Sequence, residues 1–192
     1  MGRRRRESRN DRRRRIFLGV APARPACCVA AALGVLALAG TAVAGHAPTP
    51  APDLVQAVAM MRLSSAVPVP VVQKMRLAFP HAVLRVQRHA ACRALFESLG
   101  ADGVELLTTT TYLAAQGPLA SGGCAHGADA LTTVGGRVTW LCPSFGGLST
   151  TRAMVVLLHE ALHAAGLNER PRDPAGMSST EINLLVKVRC GL

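Results

Sequence analysis

The order of apolar and polar positions divides the chain into a few readable elements. From Asp53 to Met61 apolar residues dominate and Asp53 is a natural N-cap, so a short helix is predicted. Pro68 and Pro70 interrupt the next stretch, which reads weakly as far as about Pro80, as an arm or a pro-segment. Leu84, Ala91, Leu95 and Leu99 then recur at helical spacing, which predicts a helix over 83–99 ended by Gly100. Val104 to Leu113 carries four consecutive threonines and Tyr112, and favours a strand. After a glycine-rich stretch over 117–129, Ala130–Val134 and Arg137–Leu141 are β-prone runs around Gly135-Gly136, the signature of a hairpin. Val138, Trp140 and Cys142 share one face of its second run, with Trp140 expected in the core, and Pro143 ends the pairing. Thr151 to Ala165 is apolar nearly all round, which predicts a central, buried helix capped by Ser149 or Thr150. Ser178-Ser-Thr-Glu181 has the form of a capping box before a last helix, Ile182 to Arg189. Together these elements predict an α+β domain, helix-rich, with a small hairpin or sheet beside the central helix.

Charge changes the picture only at the N-terminus. The 192 residues carry a formal net charge of +11, but residues 1–44 hold ten of the 22 Lys+Arg and two of the 11 Asp+Glu, leaving +3 for the remainder. That balance, with aromatics at 3%, argues against nucleic acid as a partner. Residues 3–15 hold nine arginines; an apolar run from Ala26 comes next, ending in Ala42-Val43-Ala44 before Gly45. This is the order of a secretory signal peptide. Arg14-Arg15-Ile16-Phe17-Leu18 also resembles a twin-arginine signal, so both the Sec and the twin-arginine routes stay open. The alternative is an uncleaved membrane anchor, the chain's one expected membrane contact. In either case the rest of the chain is expected outside the cytoplasm. The division expected is 1–44 signal peptide or anchor, 45–80 Pro-rich linker and arm or pro-segment, and 81–192 folded domain.

Cysteine usage agrees with export. Beyond Cys27 and Cys28 in the apolar run, four cysteines remain, enough for two disulfides in three possible connectivities. The expected pairing is Cys124–Cys142, spanning the predicted hairpin, and Cys92–Cys190, tying the C-terminus to an earlier helix. No C-x-x-C pair occurs among the four, so a cysteine zinc site is a poor reading.

The chemistry is concentrated in the helix predicted over 151–165. His159-Glu160-Ala161-Leu162-His163 reads H-E-x-x-H. Histidines four apart on a helix project from one face, where two imidazoles can bind one zinc ion (Zn2+). Glu160 beside the first ligand is placed to take a proton from zinc-activated water and pass it to a leaving amine. A catalytic zinc keeps one position for water, so a third protein ligand is needed. The next residues complete H-E-x-x-H-x-x-G-x-x-E, with Gly166 able to turn the chain back and Glu169 in place to supply that ligand.

This run resembles the signature of the metzincin zinc peptidases, with Glu169 where that family has His or Asp, and with Met177 standing where small secreted members have a methionine turn. The order of Cys92, a hairpin with Leu141-Cys142-Pro143 and the H-E-x-x-H helix is also similar to aspzincins of the deuterolysin type, although their downstream Gly-Thr-x-x-Asp motif is absent. The resemblance is to small secreted bacterial zincins. It implies a zincin-like catalytic domain over 81–192, metal ligands His159, His163 and Glu169, and Glu160 as general base. It also implies that the sheet edge before the active-site helix pairs with an extended substrate, for which Arg137–Leu141 is the candidate.

Rival third ligands are Asp173, which also suits a turn between prolines, and Glu181, which also suits the capping box. His126 reads as a surface loop residue, and Tyr112 as an oxyanion stabiliser to which the sequence gives no position. The expected activity is an exported zinc metallopeptidase hydrolysing peptide bonds in a peptide or protein substrate, as a monomer. The alternatives are a non-catalytic metal-containing binding module, with His126 or Asp173 as a fourth ligand, and a membrane-tethered partner protein. No Gly-x-Ser-x-Gly nucleophile motif competes.

Overall fold

The computed structural model describes residues 53–192. The leader expected over 1–44 and the first part of the spacer, to residue 52, lie outside the described residues. The architecture is α+β: helices pack around α6, with a small mixed sheet alongside it. In chain order the elements are α1 (Leu54–Ala59), β1 (Arg62–Leu63), α2 (Val69–Arg88), α3 (Ala90–Glu97), α4 (Gly103–Thr109), β2 (Thr111–Ala114), α5 (Pro118–Ser121), β3 (Ala130–Thr132), β4 (Val138–Leu141), α6 (Thr150–Ala164) and α7 (Ser179–Cys190). The sheet order is β1-β2-β4-β3, with β1, β2 and β4 parallel and β3 antiparallel to β4.

Two expectations about the first half are corrected. The stretch before Pro80 is not an arm. Pro68 caps α2 and Pro70 lies in its first turn, where a missing N–H costs nothing because that group has no helical acceptor. Pro80 sits inside the same helix, where its nitrogen cannot make the helical bond to the Arg76 carbonyl. Val71, Met75, Ala78 and Phe79 are buried, so the boundary expected at 80/81 falls within a core helix. The helix expected over 83–99 is two helices, broken at His89 (φ −102°, ψ 106°), and its buried face is Val83, Val86, Cys92 and Phe96.

The strand expected over 104–113 is half helix. Asp102 caps α4 by accepting from the amides of Val104 (2.8 Å) and Glu105 (3.1 Å). Thr108, Thr109 and Thr110 each donate a hydroxyl to the carbonyl four residues back, at 2.9, 2.7 and 2.7 Å, which satisfies them in a helix despite their β-propensity. Only Thr111–Ala114 is strand. The hairpin forms as expected, with Ala130 opposite Leu141 and Thr132 opposite Thr139, but it is Thr139 and Leu141 that are buried in β4 while Trp140 is half-buried.

Both expected disulfides are present. Cys92–Cys190 joins α3 to the end of α7, and Cys124–Cys142 joins the 3-10 turn after α5 to the end of β4. Among the described residues no helix is long and apolar enough to cross a membrane. At the centre lies α6, capped by Ser149, with Ala153, Leu157, Leu158 and Leu162 in the core alongside α2.

Candidate metal centre

Helix α6 buries three ionisable side chains, His159, Glu160 and His163, in an otherwise apolar element. Such burial is costly unless each group has a partner or a task. Gly166 (φ 102°) ends the helix and turns the chain so that Glu169 returns to the histidines, as its position in the sequence predicts. A parallel bridge between Glu169 and Met177, with the Arg170 amide donating to the Met177 carbonyl at 2.9 Å, closes the loop that carries the carboxylate.

The three donor atoms converge. His159 Nε2 lies 3.0 Å from His163 Nε2, and Glu169 Oε2 lies 3.1 Å from His163 Nε2 and 3.8 Å from His159 Nε2. Four-coordinate zinc with ligand bonds near 2.0–2.1 Å places its donors about 3.3 Å apart, so these spacings fit one small cation.

The other ring nitrogens decide what faces that point. His159 Nδ1 donates to Asn183 Oδ1 (2.9 Å) on α7, and His163 Nδ1 donates to the Leu167 carbonyl (2.8 Å). Each partner is an acceptor, so in each neutral ring Nε2 carries a lone pair. Burial, ahead of every other influence, lowers the His159 pKa from its ordinary value and favours the neutral ring. With both rings neutral, two lone pairs and a carboxylate face one another with no donor among them. A cation resolves that arrangement, and fixing ligand tautomers through a second hydrogen bond is how proteins orient metal-binding histidines. His159, His163 and Glu169 together can hold a metal ion.

Glu160 points elsewhere, toward the sheet. Burial pushes its pKa up to about 8, Thr132 on β3 partly offsets this, and the Glu169 charge adds to it. Its Oε2 is buried without a hydrogen-bond partner. A cleft of about 790 Å³ opens over the site, lined by α6, by residues 127–134 including β3, by 168–173 and by α7.

Each of the remaining candidates has another place. Asp173 lines the cleft but accepts from the Ala175 amide (2.9 Å), as a turn residue. Glu181 completes the capping box with Ser178 and pairs with Arg170; it does not join the metal group. His126 hydrogen-bonds the Gly122 carbonyl in the 3-10 turn. Among the described residues the group therefore has three members, and neither His126 nor Asp173 makes a fourth. Tyr112 is in the core, edge-on to Phe79, with its hydroxyl donating to the Leu107 carbonyl (3.1 Å); burial raises its pKa and keeps it neutral. Arg137–Leu141 is not the sheet edge, because β4 lies between β2 and β3; the edge beside the cleft is β3. Two residues at the site, Asn183 and Thr132, are not singled out by the sequence pattern alone. Asn183 interrupts the apolar run Ile182-Asn183-Leu184-Leu185-Val186, which is the signal that could have found it.

The chain matches no protein-family model, and searches of curated proteins and of solved structures return no match either.

Proposed function

We propose that the protein is a zinc-dependent peptidase, with His159, His163 and Glu169 as ligands and Glu160 as general base. One observation carries this reading: three lone-pair donors meet at a single point beside a buried carboxyl with one free oxygen, on the floor of an open cleft. His159, His163 and Glu169 would hold the zinc, which would supply Lewis acidity for a substrate carbonyl and for the attacking water. In the metal-free protein burial favours the protonated Glu160 acid; a bound cation would favour its carboxylate, which would then take the proton of the attacking water and return it to the departing amine. Three protein ligands leave room for substrate, which favours catalysis over a closed structural site. Strand β3 pairs with β4 along one side only, so an extended peptide can add to its other side and bring a carbonyl to the site. A resemblance to zincins, strong over residues 130–177, supports the same conclusion. Two disulfides and the arginine-rich, then apolar, N-terminal sequence support an exported protein.

The test is zinc content by elemental analysis, with peptide hydrolysis measured beside it. The expected result is about one zinc per chain by the three-ligand count, lost in Glu169→Ala but kept in Asp173→Ala, Glu181→Ala and Glu160→Gln. Hydrolysis falls by at least about 100-fold in Glu160→Gln, at the lower end of what a general base contributes. A folded protein that takes up no zinc overturns the proposal, as does a Glu160→Gln variant with full activity.

A further inference from the structure

We infer that the cleft selects its peptide through a carboxylate, bound by Arg172 and Lys187. The inference rests on the peptidase reading and adds a substrate class to it.

The charges lining the cleft are mostly committed. Asp129 pairs with Arg152 at 3.2 Å. Glu169 belongs to the metal group, and Asp173 is taken up by its own turn. Arg170 is held by Glu181, outside the cleft lining. Two cations remain, Arg172 and Lys187. Both line the cleft, both are exposed, and neither has an ion-pair partner among the described residues.

Their positions tie them to the reaction centre. Lys187 lies one helical turn beyond Asn183 on α7, and Asn183 holds His159. Side chains at that spacing start about 5–6 Å apart on one helix face. Arg172 comes three residues after Glu169 on the loop that delivers the ligand. In an extended peptide every second side chain advances about 6.8 Å on the same face. Both cations thus line the same cleft as the metal group, where a carboxylate a few residues from the cleaved bond can meet them. Arginine offers a planar fork for a carboxylate and lysine a mobile point charge. The carboxylate has two sources, an Asp or Glu side chain of the substrate or the terminal carboxylate of the peptide.

The experiment uses zinc-loaded protein and matched peptides. One set replaces Gln by Glu at each of the three positions on either side of the cleaved bond; the other compares a free with an amidated C-terminus. Two exposed ion pairs predict about a 10-fold gain in kcat/KM for the carboxylate form, carried by KM and reduced at high salt. A gain confined to the Glu series identifies a side-chain carboxylate, and a gain confined to the free terminus identifies a terminal one. In Arg172→Ala with Lys187→Ala the ratio between charged and uncharged peptides collapses to within about twofold. If neutral peptides are cut and neither series exceeds twofold in the wild type, the inference is overturned and the peptidase reading stands. If nothing is cut, that reading fails, and the inference is decided by binding. Fluorescence anisotropy with the same labelled peptides then supports it if the carboxylate forms bind tighter and the double substitution removes the difference. Equal Kd values overturn it.

Discussion

Removing the acceptor behind His159 is the most searching perturbation of the site. In Asn183→Ala the His159 Nδ1–H loses its partner at 2.9 Å in a side chain only 7% exposed. A buried donor left unsatisfied costs about 1–3 kcal/mol of stability, which appears in the metal-free protein. The ring is then free to carry its proton on Nε2, the atom that faces His163 and Glu169, and in that tautomer it cannot ligate. Loss of such a partner weakens metal binding about 10- to 100-fold, or about 1.4–2.7 kcal/mol. The assay is a zinc titration against a chromophoric chelator of known affinity, with thermal unfolding of the metal-free protein in parallel. Asn183→Asp retains an acceptor and adds a charge, so its affinity is expected to equal or exceed the wild type. An alanine variant binding zinc within twofold of the wild type refutes the reasoning. So does an aspartate variant as weak as alanine, because restoring the acceptor must restore the ligand.

By loop length, the Cys92–Cys190 bridge, which spans 98 residues, contributes about 4.7 kcal/mol, and Cys124–Cys142, which spans 18, about 3 kcal/mol. Removing the first pair should lower the urea midpoint more than removing the second; the reverse order would show that strain or residual structure outweighs chain entropy. Phe79→Ala, at a fully buried position against Tyr112, should cost about 3–5 kcal/mol in chemical denaturation, whereas an arm before residue 80 would leave stability unchanged. Glu181 has its pKa lowered to about 2 from 4.5, first by the Ser178 amide and hydroxyl and then by Arg170. Its folded pKa is depressed, so its contribution is fully present above pH 4.5 and is lost as pH falls through about 2. The Tm gap between wild type and Glu181→Gln should therefore close across that window, and a gap constant from pH 5 to pH 2 would count against the capping role.

The parts of the molecule legible from the sequence are those set by near neighbours in the chain. The hairpin arises from two β-prone runs around Gly135-Gly136, and the turn that brings Glu169 back arises from Gly166. The buried helix is marked by its apolar run, and its three polar residues are conspicuous for that reason. Local propensity misleads where its competitors are left out. Four threonines suggest a strand, but Asp102 supplies a cap and the hydroxyls find carbonyls one turn back. Pro68 and Pro70 suggest a break, yet a helix accepts proline in its first turn. Asn183 and the place of β3 at the sheet edge depend on tertiary packing between segments far apart in the chain. No periodicity within one segment encodes which helix lies behind a histidine or which strand of a hairpin faces outward.

The arrangement of the donors also sets an order of events in time. All three cation-facing side chains fall between positions 159 and 169, so the chain carries them as close neighbours before it folds. The group that locks His159 comes from 24 residues further on, in a helix whose last residue is bridged to Cys92. The three ligands alone would hold a cation without the lock on His159, which Asn183 supplies only once α7 is docked. A cation bound there would be held by three side chains below an open cleft, and opening of the 169–177 bridge would remove the carboxylate from that set. The metal group and the helix that orients it are thus coupled: whatever loosens α7 also loosens the lock on His159.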